Sequence, residues 1–204
     1  MRVMELFISK IVSSIVQIIL FAFIPFLWWI ITARKKQKFF EWIGLKRVDG
    51  GKKTAISIII VSVAYTVLGT LLLYIIKDVE TATSDFAGLG TIALPAIIVY
   101  AVLNTSFPEE LLFRGFLLKR LSNKFGFGAA NAIQAILFGL MHGVMFISIT
   151  GVVKAIVIII FTASIAWCMG FVNEKNANGS ILPSWIIHAV SNIFSAVCAA
   201  FSVF

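Results

Sequence analysis

The sequence predicts an all-α protein, a polytopic bundle of about six to seven transmembrane helices. Two observations support this prediction. Of the 204 residues, 60% are hydrophobic and only 13% are charged, against roughly 25% charged in an ordinary soluble domain. The mean hydropathy is +1.04, a value typical of chains that lie largely in lipid. No linker, repeat or low-complexity tract divides the chain, so residues 1–204 are expected to form one membrane domain.

Six long apolar runs, separated by charged residues, are the candidate membrane segments. The first three contain 23 residues each, and about 20 apolar residues suffice for a helix to span the hydrocarbon core. The runs cover residues 11–33, 54–76, 86–108, 125–153, 155–173 and 176–204. A shorter helix, from Glu109 to about Lys124, lies between the third and fourth runs and gives the seventh predicted helix.

The first apolar run is expected to stay in the mature protein. It is too long for the core of a signal peptide, and RKKQK follows it instead of a small-residue cleavage site. The two cysteines, Cys168 and Cys198, lie inside apolar runs without the spacing of metal ligands. We therefore expect both cysteines to be small buried hydrophobic residues.

The positive charge of the chain is concentrated in one loop. Residues 34–53 contain eight of the 17 lysines and arginines, and the positive-inside rule places this loop in the cytoplasm. We expect it to touch anionic lipid rather than nucleic acid. The alternation of segments then places residues 77–85 and Phe204 outside and residues 173–180 inside. The predicted location is therefore an integral position in a cell membrane.

Two adjacent carboxylates follow the third apolar run, in the stretch FPEELLFRGFLLKR. Pro108 is suited to the first turn of a helix, so a new helix is expected to begin at Glu109. The turn FGFG at 125–128 should then reverse the chain into the helix that carries His142. Glu109 lies 17 residues before Gly126 and His142 lies 16 residues after it, so an antiparallel hairpin brings both to similar depth.

Polar residues in these segments recur at the i, i+4 spacing that places them on one helix face. We expect Arg114 to neutralise Glu110, while Glu109 is rotated by about 100° and can face a water-filled cavity at mid-membrane depth. Glu109 beside His142 is then a candidate general base. Ionisable groups at membrane depth are usually functional, although a purely structural polar network is the alternative. The i, i+4 pairs are Glu110 with Arg114, Phe138 with His142, and His188 with Asn192.

Three motifs, EELLFRG, FGLMH and HAVSN, resemble the signature motifs of the CPBP family, also called the Abi family. This family groups type II CAAX prenyl endopeptidases with bacterial bacteriocin-processing and self-immunity proteins. The resemblance covers residues 107–204 and implies an intramembrane glutamate protease, with a catalytic cavity, in a bacterial cell membrane. Its partners would be lipid and a peptide or membrane-protein substrate.

The resemblance also implies roles for individual residues. Glu109 would activate the attacking water, and His142 would assist it. His188 and Asn192 would stabilise the oxyanion, for which an imidazole N–H and an amide NH₂ are suitable donors. Glu110 and Arg114 would form the supporting pair. No cofactor and no metal ion is expected under this mechanism.

Several alternatives remain open on the sequence. The chain contains no HExxH, GxGD or GxSxG motif, which disfavours other classes of membrane protease. Zinc is the alternative mechanism, because two histidines and a carboxylate are ligands that zinc accepts. A noncatalytic membrane adaptor or bacteriocin self-immunity protein would keep the same residues without using them. A proton-coupled transporter is a further alternative, although no repeated half with a second broken helix is evident.

Overall fold

The computed structural model describes residues 2–204, and within them the regular structure is helical. Seven α-helices can be distinguished, joined by three π-helical and two short 3₁₀ segments among these residues. The α-helices are α1 (Arg2–Thr32), α2 (Phe39–Trp42), α3 (Gly51–Ile75), α4 (Leu94–Val99), α5 (Phe107–Glu110), α6 (Lys119–Phe171) and α7 (Leu182–Ala200). The π-helical segments are Tyr100–Ser106, Leu111–Leu118 and Val172–Asn176.

Two glycines divide α6 into three helical parts. Gly126 has φ 76° and ψ 163°, and Gly151 has φ 77° and ψ 168°. This combination of dihedral angles is essentially restricted to glycine, because a Cβ atom would clash with the backbone. The chain reverses at Gly126, as the FGFG turn predicts, so that Glu109 and His142 come into proximity. The apolar runs 125–153 and 155–173 therefore correspond to the last two parts of α6.

The described residues contain four helical stretches that are long and apolar enough to cross a membrane. One of these, Gly90–Asn176, is 87 residues long and includes both glycine breaks. The all-α, membrane-spanning character of the prediction is thus confirmed, whereas the number of six to seven crossings stays a prediction. Large apolar side chains on the outer faces of α1 and α3 are exposed, as lipid-facing residues are.

The separate helix predicted to begin at the glutamates is wrong. The backbone dihedral angles stay helical through Ser106, Phe107 and Glu110, so Pro108 lies within a continuous stretch. Wide π-helical turns flank the proline on both sides. The hydroxyls of Thr105 and Ser106 donate to carbonyls five residues earlier, within the first of these segments. Proline is therefore accommodated without a break.

Gly139 and Gly143 lie where two parts of α6 pack closely. A Cβ atom at Gly139 would lie 2.6 Å from the carbonyl oxygen of Ile159, and one at Gly143 would meet the Ile159 side chain. Small residues four positions apart allow helix backbones to approach in this way. These glycines lie on either side of His142 and set the depth at which its helix packs.

The loops form two distinct ends of the molecule. At the basic end, Ile181 N donates to Gly44 O over 2.9 Å, and Lys119 Nζ pairs with Glu174 over 2.7 Å. The loop 34–53 and residues 173–180 therefore lie on one side, as the predicted alternation requires. At the opposite end, Lys10 pairs with Asp85 over 2.8 Å, which places the loop 77–89 beside the start of α1. The assignment of the basic end to the cytoplasm stays a prediction.

Candidate active site

The two adjacent glutamates occupy different environments. Glu110 is completely buried, whereas the side chain of Glu109 is 16% exposed and lines a cavity. Consecutive residues on a helix point about 100° apart, so one carboxylate can enter the protein core while its neighbour faces the open space. The structure therefore separates the two carboxylates in the way that the sequence pattern suggests.

Glu110 forms the centre of a buried polar cluster. Its Oε1 atom lies 2.9 Å from Arg114 Nη1 and accepts a hydrogen bond of 2.9 Å from His188 Nδ1. Arg114 is also fully buried, and its carboxylate partner offsets a charge that would be expensive at this depth. The contact with His188, which residue spacing does not predict, joins Glu110 directly to α7.

The positive charge of the Arg114 guanidinium is offset by the Glu110 carboxylate and by an aromatic ring. No residue in the range 2–204 is aligned to accept a hydrogen bond from its three nitrogens, despite the short distance to Glu110. Its Cζ atom lies 4.4 Å from the centroid of the Phe138 ring, within the range of a cation–π interaction. Phe138 also lies against the rings of His142 and His188, with centroids 4.5 and 5.8 Å apart respectively.

Hydrogen bonds define which nitrogen of each histidine faces the cavity. His142 Nδ1 lies 2.9 Å from Phe138 O, and this oxygen can only accept, so Nδ1 carries a proton. His188 Nδ1 likewise donates to the Glu110 carboxylate. In the neutral rings both Nε2 atoms are therefore free to accept. They lie 3.9 and 3.8 Å from the same oxygen, Glu109 Oε2.

Glu109 Oε2 is buried and makes no hydrogen bond with the residues that the structure describes. Distances of 3.8 and 3.9 Å to the two Nε2 atoms are too long for direct hydrogen bonds. They are suited to one small molecule that contacts all three atoms. A water molecule can donate to two of them, Glu109 Oε2 and one neutral Nε2, and can accept from the other Nε2 when that ring is protonated.

The same three atoms are of the kinds that zinc accepts. Within residues 2–204, no group of three His, Cys, Asp or Glu side chains is arranged to hold a metal ion. Glu109, His142 and His188 would have to contract around an ion by small side-chain movements.

The cavity around Glu109 has a volume of about 280 Å³. It is lined by all four residues predicted to be catalytic, namely Glu109, His142, His188 and Asn192. Its remaining walls are mostly apolar and come from α3, α6, α7, the first π-helical segment and the loop after α3. Such a combination, an apolar enclosure with a few convergent polar groups, is typical of an active site.

Asn192 lies in the cavity wall with its amide already engaged. Its Nδ2 atom donates to Thr105 Oγ1 over 2.7 Å and to Ser106 Oγ over 3.2 Å. Both amide hydrogens of Asn192 therefore have partners. The amide does not point towards an oxyanion position shared with His188, although the sequence led us to expect this. Thr105 and Ser106 were not anticipated as site residues, because their only sequence signal is their place before the glutamates.

The fold and the site define a class: an integral membrane protein with a buried carboxylate–histidine site between its helices. Comparison with protein-family models identifies the family. The model described as "Type II CAAX prenyl endopeptidase Rce1-like" matches residues 91–194, half of the chain. The chain belongs to this family of membrane proteases, and the resemblance to the CPBP group is thereby confirmed. No curated protein and no solved structure matches it.

The matched region begins and ends earlier than the region anticipated from the motifs, residues 107–204. It begins at residue 91, before the π-helical segment Tyr100–Ser106, and ends at residue 194, two positions after Asn192. All six predicted site residues lie inside it. The added residues include Thr105 and Ser106, the partners of the Asn192 amide.

Proposed function

We propose that this protein is an intramembrane endopeptidase that hydrolyses a peptide bond of a membrane-associated peptide or protein. Glu109 and His142 activate the attacking water, and no metal ion takes part. One observation carries the proposal: an unpartnered carboxylate oxygen of Glu109 faces the Nε2 atoms of His142 and His188 across gaps suited to water.

The reaction begins when the water oxygen attacks the carbonyl carbon of the substrate. Glu109 accepts a proton from this water, and His142 Nε2 accepts a hydrogen bond that orients it. The C–N bond then breaks, and the proton passes from Glu109 to the leaving nitrogen. The products are a new carboxyl terminus and a new amine, so atoms and charge balance without a further reactant.

His188 requires two ring protons to stabilise the oxyanion. Its Nδ1 proton is donated to Glu110, so an Nε2–H donor exists only in the imidazolium form. The adjacent Glu110 carboxylate offsets that positive charge. Asn192 would add the second donor after it turns away from Thr105 or Ser106 when substrate binds. Glu110 thus supports the site through His188 as well as through Arg114.

The decisive experiment combines substrate discovery with chelation. Membrane peptides are compared between cells carrying the native protein and cells carrying Glu109→Gln, a substitution that keeps side-chain size and removes the base. Peptides produced only by the native protein identify a substrate for the purified enzyme. Turnover should persist after exhaustive chelation and should be abolished in Glu109→Gln and His142→Ala.

Two other outcomes assign the site differently. Loss of activity with phenanthroline, restored by zinc, together with stoichiometric metal in the active preparation, would support the zinc mechanism instead. A Glu109→Gln protein that retains the full cellular phenotype and leaves the peptides unchanged would identify a noncatalytic adaptor or immunity protein.

A further inference from the structure

The residues that line the cavity lie towards one end of the helices that carry them. On α7 they run from His188 through Ser191 and Asn192 to Ser195, towards the C-terminal end of the helix. On α3 and the residue after it they run from Tyr65 to Ile76, which also leads towards the loop 77–89. The cavity therefore extends from Glu109 towards the end opposite the basic loop.

The remaining helices give the same direction. Before Glu109 the lining residues are Tyr100 and Thr105, which lie towards the start of α4. After His142 they are Met145 and Phe146, which lie towards the break at Gly151. Each of these helices contributes residues between its catalytic group and the same end of the molecule.

A second cavity continues the first one at that end. It has a volume of about 180 Å³ and shares Thr81, Thr83 and Ser195 with the first. Its own walls include Lys77 and Ser202, which belong to the loop after α3 and to the residues after α7. The two cavities together form a passage from Glu109 to the surface around the loop 77–89.

The basic end, in contrast, is closed by apolar packing. Ile43, Leu111 and Ile181 belong to one buried cluster there, and both isoleucines are completely inaccessible. Arg114 and Leu118, equally inaccessible, fill the next turns after Glu110. No residue of the loop 34–53 lines either cavity of the passage.

Building on the proposed function, we propose that the substrate reaches Glu109 from the end that carries the loop 77–89, the outer face by the positive-inside rule. The substrate is a peptide segment presented on that face, with uncharged side chains beside the cleaved bond. Glu109 is the one acidic group among the described residues that line the first cavity, and neither Lys nor Arg occurs there. An acidic side chain would lose its hydration there without gaining a cationic partner, and a basic one could pair only with Glu109, the group that must activate the water.

The dimensions limit the length of the enclosed segment. From His188 to Ser195 the helix rises by about 10 Å, at roughly 1.5 Å per residue. An extended peptide advances about 3.3 Å per residue, so about three residues fit between the catalytic level and Ser195. Substrates exposed only on the cytoplasmic face would not reach this passage.

Cysteine accessibility tests the direction of the passage without requiring activity. In a background with Cys168→Ala and Cys198→Ala, single cysteines are introduced as Ser195→Cys in the passage, Ala82→Cys in the outer loop and Gln37→Cys in the basic loop. Intact cells are treated with a small, charged, membrane-impermeant methanethiosulfonate. We expect labelling at positions 195 and 82, and labelling at position 37 only after permeabilisation.

Three outcomes would overturn the proposal: protection of position 195 in intact cells, its labelling from the same side as position 37, or exposure of position 37 instead of position 82. Each variant is first shown to elute as folded protein in detergent, so protection cannot reflect misfolding. The same labelling is repeated with Glu109→Gln present. An open passage in a protein that cleaves nothing would leave this inference standing while refuting the proposed peptidase.

Discussion

His188 is held in place by Glu110, a residue 78 positions earlier in the chain. Its Nδ1 atom donates to Glu110 Oε1 over 2.9 Å, and this bond orients the opposite ring nitrogen towards Glu109. The buried carboxylate therefore links the supporting arginine on its own helix to a ring in the cavity wall. Disturbing Glu110 should affect both stability and chemistry, whereas disturbing Glu109 should affect chemistry alone.

The two adjacent glutamates provide a matched pair of substitutions. Glu110→Gln leaves Arg114 buried without its counter-charge, which should lower the free energy of unfolding by about 3–5 kcal/mol. Glu109→Gln should leave it nearly unchanged, because Glu109 Oε2 makes no hydrogen bond with the described residues. Thermal unfolding in detergent measures both. Equal losses of stability would contradict the division between a supporting and a catalytic carboxylate.

Phe138 should contribute to the charge balance of Arg114 as well as to packing. Phe138→Leu removes the ring that lies 4.4 Å from the guanidinium carbon. Phe113→Leu is the control, since Phe113 packs edge-on against Phe138 at 5.0 Å and both side chains are buried. The first substitution should cost about 1–2 kcal/mol more than the second, because it removes the cation–π interaction and the contacts of the ring with the two histidines. Similar costs in equilibrium unfolding would assign Phe138 to packing alone.

Asn192 should act mainly in the transition state. Asn192→Ala is expected to lower kcat by about 10²–10³ with little change in KM, because an oxyanion donor is lost. Thr105→Val is the control: it removes an acceptor of the Asn192 amide while the amide itself remains. Its effect on kcat should be smaller. If both variants lose the same activity, the hydrogen bond to Thr105 is itself the important contribution of Asn192.

The reversal at Gly126 should depend on its backbone conformation. Gly126→Ala forces a Cβ atom into a region of positive φ and should destabilise the protein by about 1–3 kcal/mol. Gly128→Ala is the control, since Gly128 is helical and a Cβ atom there would meet open space. It should be neutral or stabilising by up to about 1 kcal/mol. Thermal unfolding that ranks the two variants in the reverse order would contradict this explanation.

Much of this arrangement follows from local spacing. The i, i+4 rule alone predicts the contact of Glu110 with Arg114, and the nearly equal separations from Gly126 predict that Glu109 and His142 meet. Both predictions depend only on helix geometry, which is the same in every context.

Two features that the sequence did not reveal have different origins. Pro108 indicates a break by local rules, yet π-helical turns on both sides of it keep the helix continuous. The bond between Glu110 and His188 depends on how α7 packs, which residue spacing does not encode. Packing of α7 decided this bond, and it decided the orientation of the Asn192 amide as well.

The closed cluster of Ile43, Leu111 and Ile181 also has an electrical consequence. The voltage across a membrane falls mainly over its insulating part. A water-filled passage open at one end therefore concentrates most of the voltage drop across this cluster. Moving one elementary charge through the full potential involves about 2.3 kcal/mol per 100 mV. A proton that reaches Glu109 through the passage crosses only a small share of that field. If the passage opens as proposed, hydrolysis at Glu109 should therefore be nearly independent of the membrane potential.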